Sequence, residues 1–198
     1  MTVRRARGHT ARVRIIAGSF GGRPLVAPRG RATRPTADRV REALFSILGD
    51  VEELDVLDLF AGSGAFGLEA LSRGAATATF VEKARPALAA LRANVEALAV
   101  ADRVFVLGDD VEGALPRLTR EGRRFGLVFL DPPYAAGRGA ATLAALASGG
   151  LLVPGAWVVV ERSSLDPAPD APDALPPRFE RTYGAATLSF HRFQPEGP

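Results

Sequence analysis

The segment Leu127-Val-Phe-Leu-Asp131-Pro132-Pro133-Tyr134 runs an apolar stretch into a carboxylate, two prolines and an aromatic ring. Proline has no N–H and a locked φ. The loop therefore presents acceptors only, the Asp131 carboxylate and the backbone carbonyls. An exocyclic amine on a nucleobase brings two donors and is the natural complement. Tyr134 adds a flat face on which a base can stack. Asp131, Pro132, Pro133 and Tyr134 are the candidate catalytic residues.

A second constellation lies upstream. Val56-Leu-Asp58-Leu-Phe-Ala-Gly62-Ser63-Gly64-Ala-Phe-Gly67 places a glycine-rich turn between a strand and a helix. Small residues let a ligand approach the backbone, and the helix start offers free N–H groups. Glu82 follows Gly62 by twenty residues, where a carboxylate can accept from both ribose hydroxyls. Asp109 and Asp110 end the next strand; there an acid can meet an adenine amine, or instead cap the following helix. Such features serve a dinucleotide dehydrogenase and an S-adenosylmethionine enzyme alike. Asp58 favours the second, because a carboxylate neutralises an ammonium and repels a pyrophosphate.

These residues need elements to hold them. Strands are predicted at Asp55–Leu59, Thr77–Val81, Arg103–Leu107 and Gly126–Leu130. Helices alternate with them at Ala65–Arg73, Arg85–Ala99, Val111–Thr119 and Arg138–Ala147. That rhythm implies a doubly wound parallel sheet. The end breaks it: a strand at Ala156–Glu161, a loop at Leu165–Pro177 with five Pro, and another strand within Phe179–Phe193. With no helix between them, the two form a terminal antiparallel hairpin. Ahead of the sheet, Arg12–Ala17 and Arg23–Ala27 read as a small β-hairpin around Gly18–Gly22. Thr36 then caps a helix with apolar residues at Val40, Leu44, Ile47 and Leu48, ended by Gly49.

Charge is divided unevenly over the 198 residues. Residues 1–41 carry eleven Arg against Asp38, a net of +10, while residues 42–198 carry a net of −7. A basic arm on an acidic body suggests a polyanion partner. There is no Cys, which excludes disulfides, thiolate catalysis and Cys-ligated metal. Two His, His9 and His191, make a His-based metal site or a Ser/His/Asp triad unexpected. No apolar stretch reaches membrane-spanning length, and the expectation is a soluble cytoplasmic monomer without metal.

Asp58-Leu-Phe-Ala-Gly-Ser-Gly64 with Asp131-Pro-Pro-Tyr134 resembles the amino-methyltransferases, class I S-adenosylmethionine enzymes. Arg14-Ile-Ile-Ala-Gly18, Gly22-Arg-Pro-Leu25, Arg34-Pro-Thr36, Arg39-Val-Arg-Glu-Ala-Leu-Phe45 and Tyr183-Gly-Ala-Ala-Thr-Leu188 resemble, more narrowly, the 16S rRNA guanine-N2 methyltransferase family. The resemblance runs from about Arg14 to Phe193; Ala185 departs from it where the family commonly carries an acid. It implies an α/β, Rossmann-like class I methyltransferase fold with a doubly wound, mostly parallel seven-stranded sheet. It also implies a methyl transferred from S-adenosylmethionine to a guanine N2 in 16S rRNA, within a small ribosomal subunit or its assembly intermediate. Thr36, Asp58, Gly62, Ser63, Gly64, Glu82 and Asp109 are assigned to the cofactor, with Thr36 at its methionyl end. Arg12, Arg14, Arg23, Arg29, Arg31 and Arg34 are assigned to RNA. The expected organisation is a flexible basic terminus (1–11), a basic hairpin and helix that touch RNA (12–50), and the methyltransferase domain (51–198). Adenine-N6 transfer, a nicotinamide oxidoreductase and a non-catalytic RNA-binding assembly factor are the competing readings.

Overall fold

The computed structural model describes residues 13–28, 35–132 and 137–195, with side chains in the second stretch given from Asp38 onward. Five strands run parallel: β1 (Asp55–Leu59), β2 (Thr77–Val81), β3 (Val104–Leu107), β4 (Phe125–Leu130) and β5 (Leu152–Ser163). β6 (Pro177–Tyr183) and β7 (Ala186–Arg192) complete a seven-stranded sheet in the order β3-β2-β1-β4-β5-β7-β6. The helices are α1 (Pro35–Leu48), α2 (Ala65–Ser72), α3 (Arg85–Leu98), α4 (Val111–Arg120) and α5 (Arg138–Ser148). Winding goes outward from β1 to β3, returns to β4 beside β1, and continues the other way. The reversal leaves a crevice at the carboxyl ends of β1 and β4, where open α/β sheets bind ligands. This is the fold of the class I methyltransferases.

Helices cover both faces, so strand residues alternate between two cores. Val56, Phe80, Leu127, Phe129 and Val159 pack into one, with Leu44, Phe45, Leu68 and Leu91. Leu57, Leu59, Val128, Leu130 and Val160 pack into the other, with Leu115, Leu118, Leu143 and Leu146. Alternation puts Asp58 on the first face, under α2.

β1 and β2 fall where their apolar runs predict them, and the four body helices end within one or two residues of expectation. β7 pairs antiparallel with β5, as the missing helix required, but β6 precedes it in sequence and lies outermost. Trp157 packs against Phe179 and Phe190.

Two expectations for the N-terminal segment change. The hairpin at 12–17 and 23–27 is an isolated bridge between Arg14 and Pro24, not a pair of strands. Its backbone bonds are Leu25 N–H to Val13 O (2.7 Å), Ile15 N–H to Arg23 O (2.9 Å) and Gly22 N–H to Ile15 O (2.8 Å). Pro24 has no N–H to extend the ladder, and the Ile16 and Ala17 N–H groups are given to the Glu69 carboxylate at 2.7 and 3.1 Å. Helix α1 begins at Pro35, so Thr36 stands inside its first turn rather than ahead of it. Proline at the first helical position has the φ a helix start needs.

The segment is held to the body through buried polar side chains. Glu69, fully buried on α2, also binds Arg73 Nε at 2.8 Å. Ser72 on α2 accepts Phe20 N–H at 2.9 Å through Oγ and Ser19 N–H at 2.7 Å through its carbonyl. Gly18 sits against that carbonyl at φ +82°, and a Cβ there would lie 1.8 Å from the Ser72 oxygen. Val13, Ile15 and Leu25 join the first core.

Candidate active site

A cleft of about 380 Å³ opens at the predicted edge of the sheet. Glu82 from the end of β2, Asp109 after β3 and Asp131 after β4 all line it, with Phe60, Pro86 and Arg138. Parallel strands bring together three acids that are far apart in sequence.

Glu82 shapes the glycine-rich turn. Its Oε2 accepts Gly62 N–H at 2.8 Å and its Oε1 accepts Ala84 N–H at 2.7 Å. A carboxylate has about four lone-pair directions, so two remain for ribose hydroxyls. Asp109 and Asp110 both line the cleft, and Asp110 caps a helix as well. Asp110 is the N-cap of α4, with extended φ/ψ and Oδ1 accepting Gly113 N–H at 2.9 Å. Asp109 accepts Asp110 N–H at 2.8 Å and lines the cleft. Two acceptor carboxylates beside the apolar surfaces of Phe60 and Pro86 match the hydroxyls, amine and ring of an adenosyl group.

The glycine turn is bent by three residues with positive φ: Phe60 (59°), Gly62 (59°) and Gly64 (80°). Gly64 faces inward at the start of α2, and a Cβ there would lie 2.3 Å from Leu91 Cδ1. The Ser63 carbonyl accepts from Asn94 Nδ2 on α3 at 2.9 Å. Asn94 is 1% exposed, and the same side chain binds Val26 both ways, N–H to Oδ1 at 2.7 Å and Nδ2 to O at 3.0 Å. One amide thus ties the cofactor turn to the N-terminal segment, whose Pro28 lines the cleft.

Asp58 lies behind the turn, not on the cleft wall. It is 2% exposed, and its Oδ2 accepts Gly67 N–H at 3.0 Å. Burial pushes its carboxyl up to about 8; the Gly67 bond works against this, and the negative charges of Asp131 and Glu82 add to it. A carboxyl raised this far is largely protonated at neutral pH. A cation brought near would ionise it.

The basic residues separate. Arg14 is largely exposed and 3.4 Å from Asp38. Arg23 donates to the Ala97 carbonyl near the end of α3. Arg41, counted in the basic arm, is 2% exposed and bonded to the Arg14 carbonyl and to Asp38, at 2.6 and 2.9 Å. It cannot meet an external polyanion. Arg12, Arg29, Arg31, Arg34, Pro133 and Tyr134 lie outside the described residues, as does the Thr36 side chain.

Sequence reasoning missed Phe60, Glu69 and Asn94. Glu69 and Asn94 carried a signal: each is a polar residue on the apolar stripe of its helix, between Leu68 and Ala70 and between Leu91 and Val95.

The family model described as conserved hypothetical protein 95 matches residues 13–192. Ribosomal RNA small subunit methyltransferase D of Escherichia coli (strain K12) is 35% identical over 189 residues, which cover 95% of this chain and 93% of the relative. The solved structure of yhhF from Escherichia coli superposes with a TM-score of 0.82 at 31% identity, covering 93% of this chain and 99% of that one. A hypothetical protein of Thermus thermophilus gives a TM-score of 0.75 at 34% identity, covering 90% of this chain and 98% of that one.

Proposed function

The chain belongs to the family described as conserved hypothetical protein 95, and we propose that it is an S-adenosylmethionine-dependent methyltransferase of small-subunit ribosomal RNA, acting on the N2 amine of a guanine in 16S rRNA. The reading is carried by Asp131, an acceptor at the sheet's switch point that lines the same cleft as Glu82 and Asp109. The name of the Escherichia coli relative supports the coarser part of the reading, a methyltransferase of small-subunit ribosomal RNA.

S-adenosylmethionine, when bound, supplies a methyl on a sulfonium that is already a good electrophile. The obstacle is the amine, whose lone pair is delocalised into the base. Asp131 and the Pro132 carbonyl accept its N–H bonds and turn the lone pair toward the cleft, and alignment supplies much of the rate. The proton leaves late, to Asp131 or to water. Glu82 holds the ribose, Asp109 the adenine amine, and Asp58 answers the methionyl ammonium. Tyr134 stacks on the unstacked guanine. Arg14 and its neighbours in the basic arm meet RNA phosphates and offset the field of the acidic body.

The test is incubation with S-adenosylmethionine and small subunits lacking this modification, followed by nucleoside mass analysis. N2-methylguanosine is the expected product. N6-methyladenosine would move the enzyme to the rival amine, and binding without turnover would make it an assembly factor.

A further inference from the structure

β4 and β5 run parallel and in register through Leu130↔Val160. The next residue on each strand is an acid, Asp131 and Glu161. Neighbouring strands lie about 4.8 Å apart, and side chains alternate between faces. Phe129 and Val159 point into the core that contains Leu44 of α1, so Asp131 and Glu161, two residues on, stand together on that face. Both line one hollow with Leu44, Phe66 and Leu188. The hollow measures about 10 Å³, close to the space one water needs. Asp131 lines this hollow and the cofactor cleft alike, whereas Glu161 lines the hollow alone. The acceptors therefore form a sequence: cleft, Asp131, Glu161. Buried Arg41 on α1 lies close enough for the charge of Glu161 to act on it, so this corner holds the glutamate opposite a cation.

Resting on the guanine-N2 reading, we propose that Glu161 is the residue that specifies guanine, by accepting the N1–H beside the reacting amine. Guanine presents N1–H and the N2 amine as a run of adjacent donors. Adenine presents a lone pair at N1 beside its N6 amine. A wall of two carboxylates accepts the first edge and repels the second. Four acceptor directions per carboxylate make this compatible with the contacts Glu161 already has. Asp131 orients the amine, and Glu161 decides which base carries it.

The test replaces the target guanine with 2-aminopurine, which keeps the N2 amine but has a lone pair at N1. Small subunits reconstituted with either base are methylated by the full chain, and kcat/KM is compared. The wild type is expected to prefer guanine by about 10- to 100-fold, the discrimination one paired edge supplies. In Glu161→Gln the amide can donate to a lone pair, so that ratio should collapse toward one. S-adenosylmethionine affinity should stay within about twofold, since Glu161 does not line the cleft. An unchanged ratio in Glu161→Gln overturns the proposal. So does a wild type that methylates 2-aminopurine as well as guanine, a result that needs no variant to fold. Failure of the wild type to form N2-methylguanosine would instead overturn the guanine-N2 reading beneath it.

Discussion

The two halves of the sheet's carboxyl edge use acids differently. On the β1–β2–β3 side each strand-end acid grips a backbone N–H of a nearby turn or helix start: Asp58 that of Gly67, Glu82 those of Gly62 and Ala84, Asp110 that of Gly113. On the β4–β5 side Asp131 is followed by Pro132 and Pro133, which have no N–H to give. Glu161 stands within a strand, its backbone paired with Leu188 of β7. One half spends carboxylates on shaping loops that meet a cofactor. The other sets its carboxylates beside a loop of two prolines and inside a strand, where they are the proposed acceptors of an incoming amine. Acids with the same chemistry are positioners in one half and candidate substrate acceptors in the other.

Asp131→Ala should break the contrast most sharply. Turnover is expected to fall by about a thousandfold, within the usual range for a positioned acid–base group, with S-adenosylmethionine affinity nearly intact. Single-turnover rates alongside cofactor titration check both, and unchanged turnover would remove Asp131 from the chemistry.

Asp58 comes next, because it feels acids from both halves. Its folded pKa, about 8, lies above the ordinary aspartate value. The stability this confers is fully present below about pH 4, declines as pH rises, and is lost once pH passes 8. The slope approaches about 1.4 kcal/mol per pH unit between those limits. Melting curves from pH 5 to 9 should show the decline in the wild type and its absence in Asp58→Asn. Equal slopes would mean that Asp58 is ionised in the folded protein.

Glu82→Ala should act on the cofactor alone. Losing the anchor of Gly62 and Ala84 together with the ribose acceptor should weaken S-adenosylmethionine binding about 10- to 100-fold, with kcat at saturation within a few-fold. A fall in kcat with unchanged affinity would place Glu82 in the amine half.

The smallest effect is expected at Asn94→Ala. The lost bonds to Val26 and Ser63 should lower stability by about 1–3 kcal/mol, read from denaturant midpoints. If the amide couples the two segments, S-adenosylmethionine should strengthen RNA binding in the wild type and not in the variant. Coupling equal to that of the wild type would leave Asn94 a structural residue only.

Much of the cofactor half was legible because its signals are local. An apolar run, small residues at a turn, and an acid at the next strand end all occupy a few consecutive residues around Asp58–Gly67 and Thr77–Glu82. The choice between Asp109 and Asp110 was not legible. Both are aspartates at one strand end, and only the extended φ/ψ of Asp110 makes it the cap. The N-terminal hairpin was over-read, since alternation at Arg12–Ala17 does not reveal that Glu69 takes the N–H groups of Ile16 and Ala17. Nor does an arginine count reveal that Arg41 is buried.

By itself the amino-acid sequence determined the alternation of strands and helices, the glycine turn and the acceptor loop, because periodicity and the donor inventory of each residue are properties of short segments. The tertiary structure decided which acids share a wall, which arginines face water, and that Asn94 joins two segments. Those outcomes depend on strand order and register, which bring Asp131 beside Glu161 across thirty residues of chain. No local pattern records the winding of a sheet.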